Sequence, residues 1–140
     1  MGDRCWVDVT VRKEDEERFL DLVMHAPEGR DEDGMTVSLS FPEANYGMGQ
    51  PLDVAATARI QFYGSHTRGD SYGPNEFYSN GDGQVNYIPT DGDGDGYVIS
   101  GRTSSERWAS LRMLDERILE REVLVQRLHN PIFDLTQESA

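Results

Sequence analysis

The chain has 140 residues and a net charge of −13, with 26 acidic against 13 basic side chains. A field of that sign repels nucleic acid and attracts cationic partners, so direct nucleic-acid binding is not expected. No apolar run is long enough to span a bilayer, the single Cys5 allows no disulfide within the chain, and the N-terminus lacks the basic-then-apolar pattern of a signal peptide; these features point to a cytoplasmic protein.

Val7, Val9 and Val11 alternate with Trp6, Asp8 and Thr10, the pattern of a half-buried strand over Cys5–Val11. A helix is predicted over Lys13–His25. Glu14, Asp15, Glu16 and Glu17 crowd its first turn, where the helix dipole favours negative charge; Phe19, Leu22, Val23 and Ala26 form its apolar stripe, and Pro27 ends it. Glu28–Gly34 reads as an acidic loop. Met35–Phe41 reads as a second strand, followed by a loop carrying Tyr46 and a short helix from Pro51 to Ala58. Ile60–Tyr63 is predicted as a third strand and Gly64–Asn75 as a polar loop. Glu76–Ser79 and Gln84–Ile88 flank an Asn80-Gly81-Asp82-Gly83 turn, and Tyr97–Ser100 is expected to add one further antiparallel strand.

The longest predicted element is a helix over Thr103–His129. Thr103 and Glu106 form a capping box, Asn130-Pro131 ends the helix, and Leu111, Leu114, Ile118, Val125 and Leu128 recur at three-four spacing, widened by Trp108, Leu119 and Leu124. That stripe packs on the sheet or forms the seam of a homodimer, although Arg121 interrupts the seam; the expected state is a monomer or a homodimer through this helix. The expected fold is a single α+β domain over residues 1–135 with a frayed tail at 136–140: a mixed, largely antiparallel sheet of five or six strands, the long helix across one face and the first helix beside it.

Several stretches carry candidate chemistry. Asp91, Asp93 and Asp95 with Gly96 match the first half of a calcium-binding EF-hand loop, but the twelfth position, which needs a bidentate glutamate, is Arg102. No metal or other cofactor is therefore expected, with a calcium-binding module through the Asp91–Asp95 loop as the alternative. His66, Arg68, Asp70 and Tyr72 could serve a small enzyme from one loop, yet no activated nucleophile accompanies them, so no catalytic residue is assigned. His25, His66, His129 and Cys5 lack zinc-ligand spacing.

Charge is the strongest functional signal. Residues 1–52 carry net −7 and residues 53–101 net −5, against +1 over 102–130. The expected partner is a basic protein, a nuclease or nucleic-acid-binding complex. It would meet Glu14, Asp15, Glu17, Glu28, Asp31, Glu32, Asp33, Asp91, Asp93 and Asp95. In composition, though in no motif, the chain resembles the small acidic anti-defence proteins of phages and plasmids, anti-CRISPR and antirestriction proteins among them. It likewise resembles immunity proteins that neutralise nuclease toxins. That resemblance implies inhibition by nucleic-acid mimicry, with no membrane involvement.

Overall fold

The computed structural model describes residues 4–69, 73–91 and 96–130. Six strands form one sheet: β1 (Arg4–Arg12), β2 (Gly29–Asp33), β3 (Thr36–Asn45), β4 (Gln61–His66), β5 (Asn75–Asn80) and β6 (Asn86–Pro89), in the order β2-β3-β1-β4-β5-β6. Every pairing is antiparallel. Three α-helices accompany them, α1 (Glu16–Val23), α2 (Gly49–Thr57) and α3 (Ser104–His129). The fold is α+β, as its apolar patterning indicates.

The alternation in β1 decides which face is buried. Val7, Val9 and Val11 lie opposite Phe41, Leu39 and Val37 of β3, so each inward side chain meets another across the strand pair. Phe62 and Phe77 extend this layer. Phe19 and Val23 of α1 and Leu52, Ala55 and Ala56 of α2 close over it. Phe19 and Phe62 approach to 5.7 Å between ring centroids. The connections β1–α1–β2 and β3–α2–β4 each step over a neighbouring strand, which carries both helices onto this same face.

α3 covers the opposite face. Leu114, Leu124 and Leu128 are buried there with Tyr78 and Ile88, and Tyr63 and Ile118 pack against them. Polar contacts fix the helix further: Arg117 donates to the Tyr87 carbonyl at 2.7 Å, Tyr78 donates to Glu120 at 2.6 Å, and Arg121 pairs with Glu76 at 3.3 Å. The long helix and the first helix therefore lie on opposite faces rather than side by side, giving three layers. Helical periodicity shows which residues a helix buries but not which side of the sheet receives them.

Other boundaries move too. Residues 13–15 form a 3-10 turn ahead of α1, which ends at Met24 in the left-handed conformation, leaving Ala26 exposed. β3 continues past Phe41 and β4 reaches His66. The expected strand over 97–100 reduces to one bridge, Thr90 to Tyr97, with a single backbone bond from Val98 to Pro89. Trp108 and Leu119, expected to widen the α3 stripe, are each 62% exposed. The expected tail at 136–140 lies outside the described residues. No described helix is long and apolar enough to cross a membrane.

Candidate acidic interaction surface

The stretch expected to be an acidic loop, Glu28–Gly34, is mostly the edge strand β2. Apolar residues are not required there, because β2 is held by backbone pairing to β3 and by ion pairs to the helical side: Glu28 N–H donates to Ser40 O, and Arg30 lies opposite Leu39. Its charges also guard an edge that would otherwise invite another strand.

Alternation along β2 separates two kinds of charge. Arg30 and Glu32 point to the α1 side and are neutralised. Arg30 makes a bidentate pair with Glu16, Nε to Oε2 at 2.6 Å and Nη2 to Oε1 at 2.9 Å. Arg30 also reaches Glu32 at 2.6 Å, and Lys13 reaches the other oxygen of Glu32 at 3.0 Å. The Arg30 hydrogen bonds hold the Glu16 carboxyl below its usual range, and Lys13, then Arg30, do the same for Glu32. Asp31 and Asp33 point to the other face, opposite Ser38 and Thr36. Both are exposed. Among the described residues neither they nor Glu17 and Glu28 form an ion pair. Glu14 is 3.7 Å from Arg12, and burial together with Glu14 raises the carboxyl of Asp15.

Trp6 and Asp8 join this face and were not singled out as site residues by their sequence pattern. The register of β1 against β3 shifts between Cys5 and Val7, and the Trp6 indole is 45% exposed. Trp6 exchanges hydrogen bonds with Thr67, N–H to Oγ1 and O from N–H, both at 2.9 Å. Its Nε1–H donates to Asp8 Oδ1 at 2.9 Å, and Ser40 donates to the same oxygen at 2.7 Å. The signal was present in the alternation, which turns Trp6 and Asp8 away from the valines. An indole beside a fixed carboxylate suits an arginine, whose guanidinium stacks on the ring while its N–H groups pair with the acid.

The second acidic stretch does not belong to this surface. Asp91 follows β6, at the other edge of the sheet, five strand spacings or about 24 Å from β2. Asp93 and Asp95 lie outside the described residues. Arg102, where an EF-hand loop needs an acid, donates its N–H to Glu106 at 2.6 Å as part of the approach to α3.

Of the remaining candidates, His66 and Cys5 are buried. His66 is 7% exposed and stacks on Phe77. Its Nδ1 donates to the Thr67 carbonyl at 2.8 Å, and its Nε2 accepts from Asn75 at 3.1 Å. Both ring nitrogens are thus hydrogen-bonded, and the Asn75 contact ties β5 to β4. Arg68 is exposed, while Asp70 and Tyr72 lie outside the described residues. His25 bonds the Val23 carbonyl, His129 bonds Tyr63 at 2.6 Å, and Cys5 is buried. No group of three or more potential ligands converges among the described residues.

Comparison with protein-family models, curated proteins and solved structures finds no match to this chain.

Proposed function

We propose that the protein is an acidic interaction protein that binds and inhibits a basic, nucleic-acid-binding partner. The contact face is the β2 edge with the outer face of β1 and β3. The observation that carries this reading is the sorting of charge on β2. Arg30 and Glu32 are used up in internal ion pairs, while Asp31 and Asp33 are left exposed on the face that carries Asp8 and Trp6, and Glu28 is exposed just ahead of the strand. Glu16 and Glu32 are paired within the fold; among the described residues Asp31 and Asp33 are not. Unpaired carboxylates along a strand present a row of negative charge to arginine and lysine side chains. Anti-defence proteins, such as anti-CRISPR and antirestriction proteins, and toxin-immunity proteins are the functional classes this chemistry fits.

The test is affinity capture from the native cell or an infected host, with the wild type and a Glu28→Lys/Asp31→Lys/Asp33→Lys variant as paired baits. Glu32 is left intact because its pair with Lys13 holds β2 to the 3-10 turn ahead of α1. A basic protein retained by the wild type and lost by the folded variant supports the proposal. Equal retention by both baits removes it.

A further inference from the structure

α3 packs on the sheet through Tyr63, Tyr78 and Ile88 of β4, β5 and β6, and its last turn reaches Arg12 at one end of β1. Trp6 and Asp8, toward the other end of β1, are both exposed. Trp6 is nonetheless held at three points. Thr67 Oγ1 accepts from its backbone N–H, Thr67 N–H donates to its carbonyl, and its Nε1–H donates to Asp8 Oδ1 at 2.9 Å. A bond from Nε1 lies in the plane of the ring, so Asp8 sits at the edge of the indole and leaves its face uncovered. Among the described residues no ring or cation stacks on that face. A large ring fixed in advance loses little freedom when a ligand covers it.

The carboxylate is fixed in the same way and has capacity left over. A carboxylate offers about four lone-pair sites, two on each oxygen. On Asp8 Oδ1 both are filled, by the Trp6 indole at 2.9 Å and the Ser40 hydroxyl at 2.7 Å. Among the described residues no donor reaches Oδ2, and no basic side chain pairs with Asp8. The residues level with Asp8 on the neighbouring strands are Ser40 and Ser65, with Gly29 beyond Ser40. All are small, which leaves the carboxylate open from above.

We infer that Trp6 and Asp8 form an arginine-binding subsite, in which a guanidinium of the partner stacks on the indole face and donates two N–H groups to Asp8 Oδ2. The subsite belongs to the acidic surface proposed above, rests on that reading, and names the side chain the surface selects. Arginine fits it better than lysine. A planar guanidinium covers a ring and carries N–H groups on neighbouring nitrogens, whereas an ammonium is a compact, strongly hydrated charge with no face to stack. The net charge of −13 draws a cationic segment to the molecule, and Asp31 and Asp33 lie two strand spacings away, about 10 Å, on β2. Trp6 then decides which cation is held.

The test needs no native partner. In the full chain carrying Trp108→Phe, Trp6 is the one remaining indole. Its Nε1–H resonance is followed by NMR while hexa-arginine or hexa-lysine is titrated in at low salt, and calorimetry gives the affinities. Hexa-arginine is expected to bind at least about fivefold tighter than hexa-lysine and to move the Trp6 resonance. Trp6→Leu, checked for folding by circular dichroism, should remove that advantage and leave hexa-lysine within about twofold of its original affinity. Asp8→Asn should weaken hexa-arginine more than hexa-lysine. Glu28→Lys/Asp31→Lys/Asp33→Lys should weaken both peptides alike. Equal affinity for the two peptides, an arginine preference that survives Trp6→Leu, or a Trp6 resonance unmoved by hexa-arginine would overturn the subsite. Peptides that bind equally and are lost together in the triple variant would leave the acidic surface standing without it. An arginine preference at Trp6, with no basic protein captured from cells, would leave the subsite standing and remove the proposed function.

Discussion

Gly64 shows how much of the sheet depends on one missing side chain. A Cβ there would collide with the Asp8 carbonyl oxygen of the neighbouring strand and stand 2.8 Å from Phe77 Cζ, so glycine lets Phe77 lie across β4 beneath the helices. Gly64→Ala is expected to cost about 1–3 kcal/mol in chemical denaturation, as overpacking does. The Glu16–Arg30 pair makes a pH-dependent contribution of known sign. Because the Glu16 carboxyl is held below its ordinary value of about 4.5, its contribution is complete above that value. It is lost as pH falls through the lowered one. Thermal melts of the wild type and Glu16→Gln should differ at pH 7 and converge toward pH 3. A gap that persists undiminished at low pH would show that Glu16 acts through something other than its charge.

At the scale of elements, α3 divides into a capped, projecting start and a packed remainder. Thr103 and Glu106 supply the reciprocal cap that the T-x-x-E spacing predicts, Thr103 Oγ1 accepting from Glu106 N–H at 3.1 Å. Of the apolar positions in the helix, Leu114, Leu124 and Leu128 are buried, with Leu124 and Leu128 fully so. Leu124→Ala is therefore expected to destabilise by about 2–5 kcal/mol, measured by denaturant unfolding. Glu116→Ala, at an exposed position, should change monomer stability by less than about 0.5 kcal/mol. Comparable losses from both would mean that the helix does not pack as described. β2 is the contrasting element. Its composition, GRDED, contains nothing that reads as strand, because an edge strand with an exposed face draws its stability from backbone pairing to β3.

For the whole molecule, the acidic excess of the first hundred residues is not spread over one front. The acids of the 3-10 turn and α1 meet the β2 edge, where part of them is neutralised, and Asp91 lies at the opposite edge. The exposed row of Glu28, Asp31 and Asp33 should steer a basic partner, giving fast association at low salt and slower association as the Debye length falls below about 10 Å. Stopped-flow binding to the captured partner should show that salt dependence in the wild type and little of it in the Glu28→Lys/Asp31→Lys/Asp33→Lys variant. Nucleic acid should compete for the same partner surface. An on-rate insensitive to salt, with no competition, would count against steering by this edge.

Sequence alone determined the local features of this protein: the valine alternation of β1, the capped long helix, the turn between β5 and β6, and the α+β class. Each depends on residues within a few positions of one another, where side-chain period, capping and turn chemistry act directly. Tertiary structure alone decided that α1 and α3 take opposite faces. It decided that an acidic stretch becomes an edge strand, that His66 is enclosed by Phe77 and Asn75, and that Trp6 and Asp8 share a face with Asp31 and Asp33. Those outcomes follow from strand order and register, which bring together residues up to dozens of positions apart, and no local pattern encodes which neighbour a strand will have.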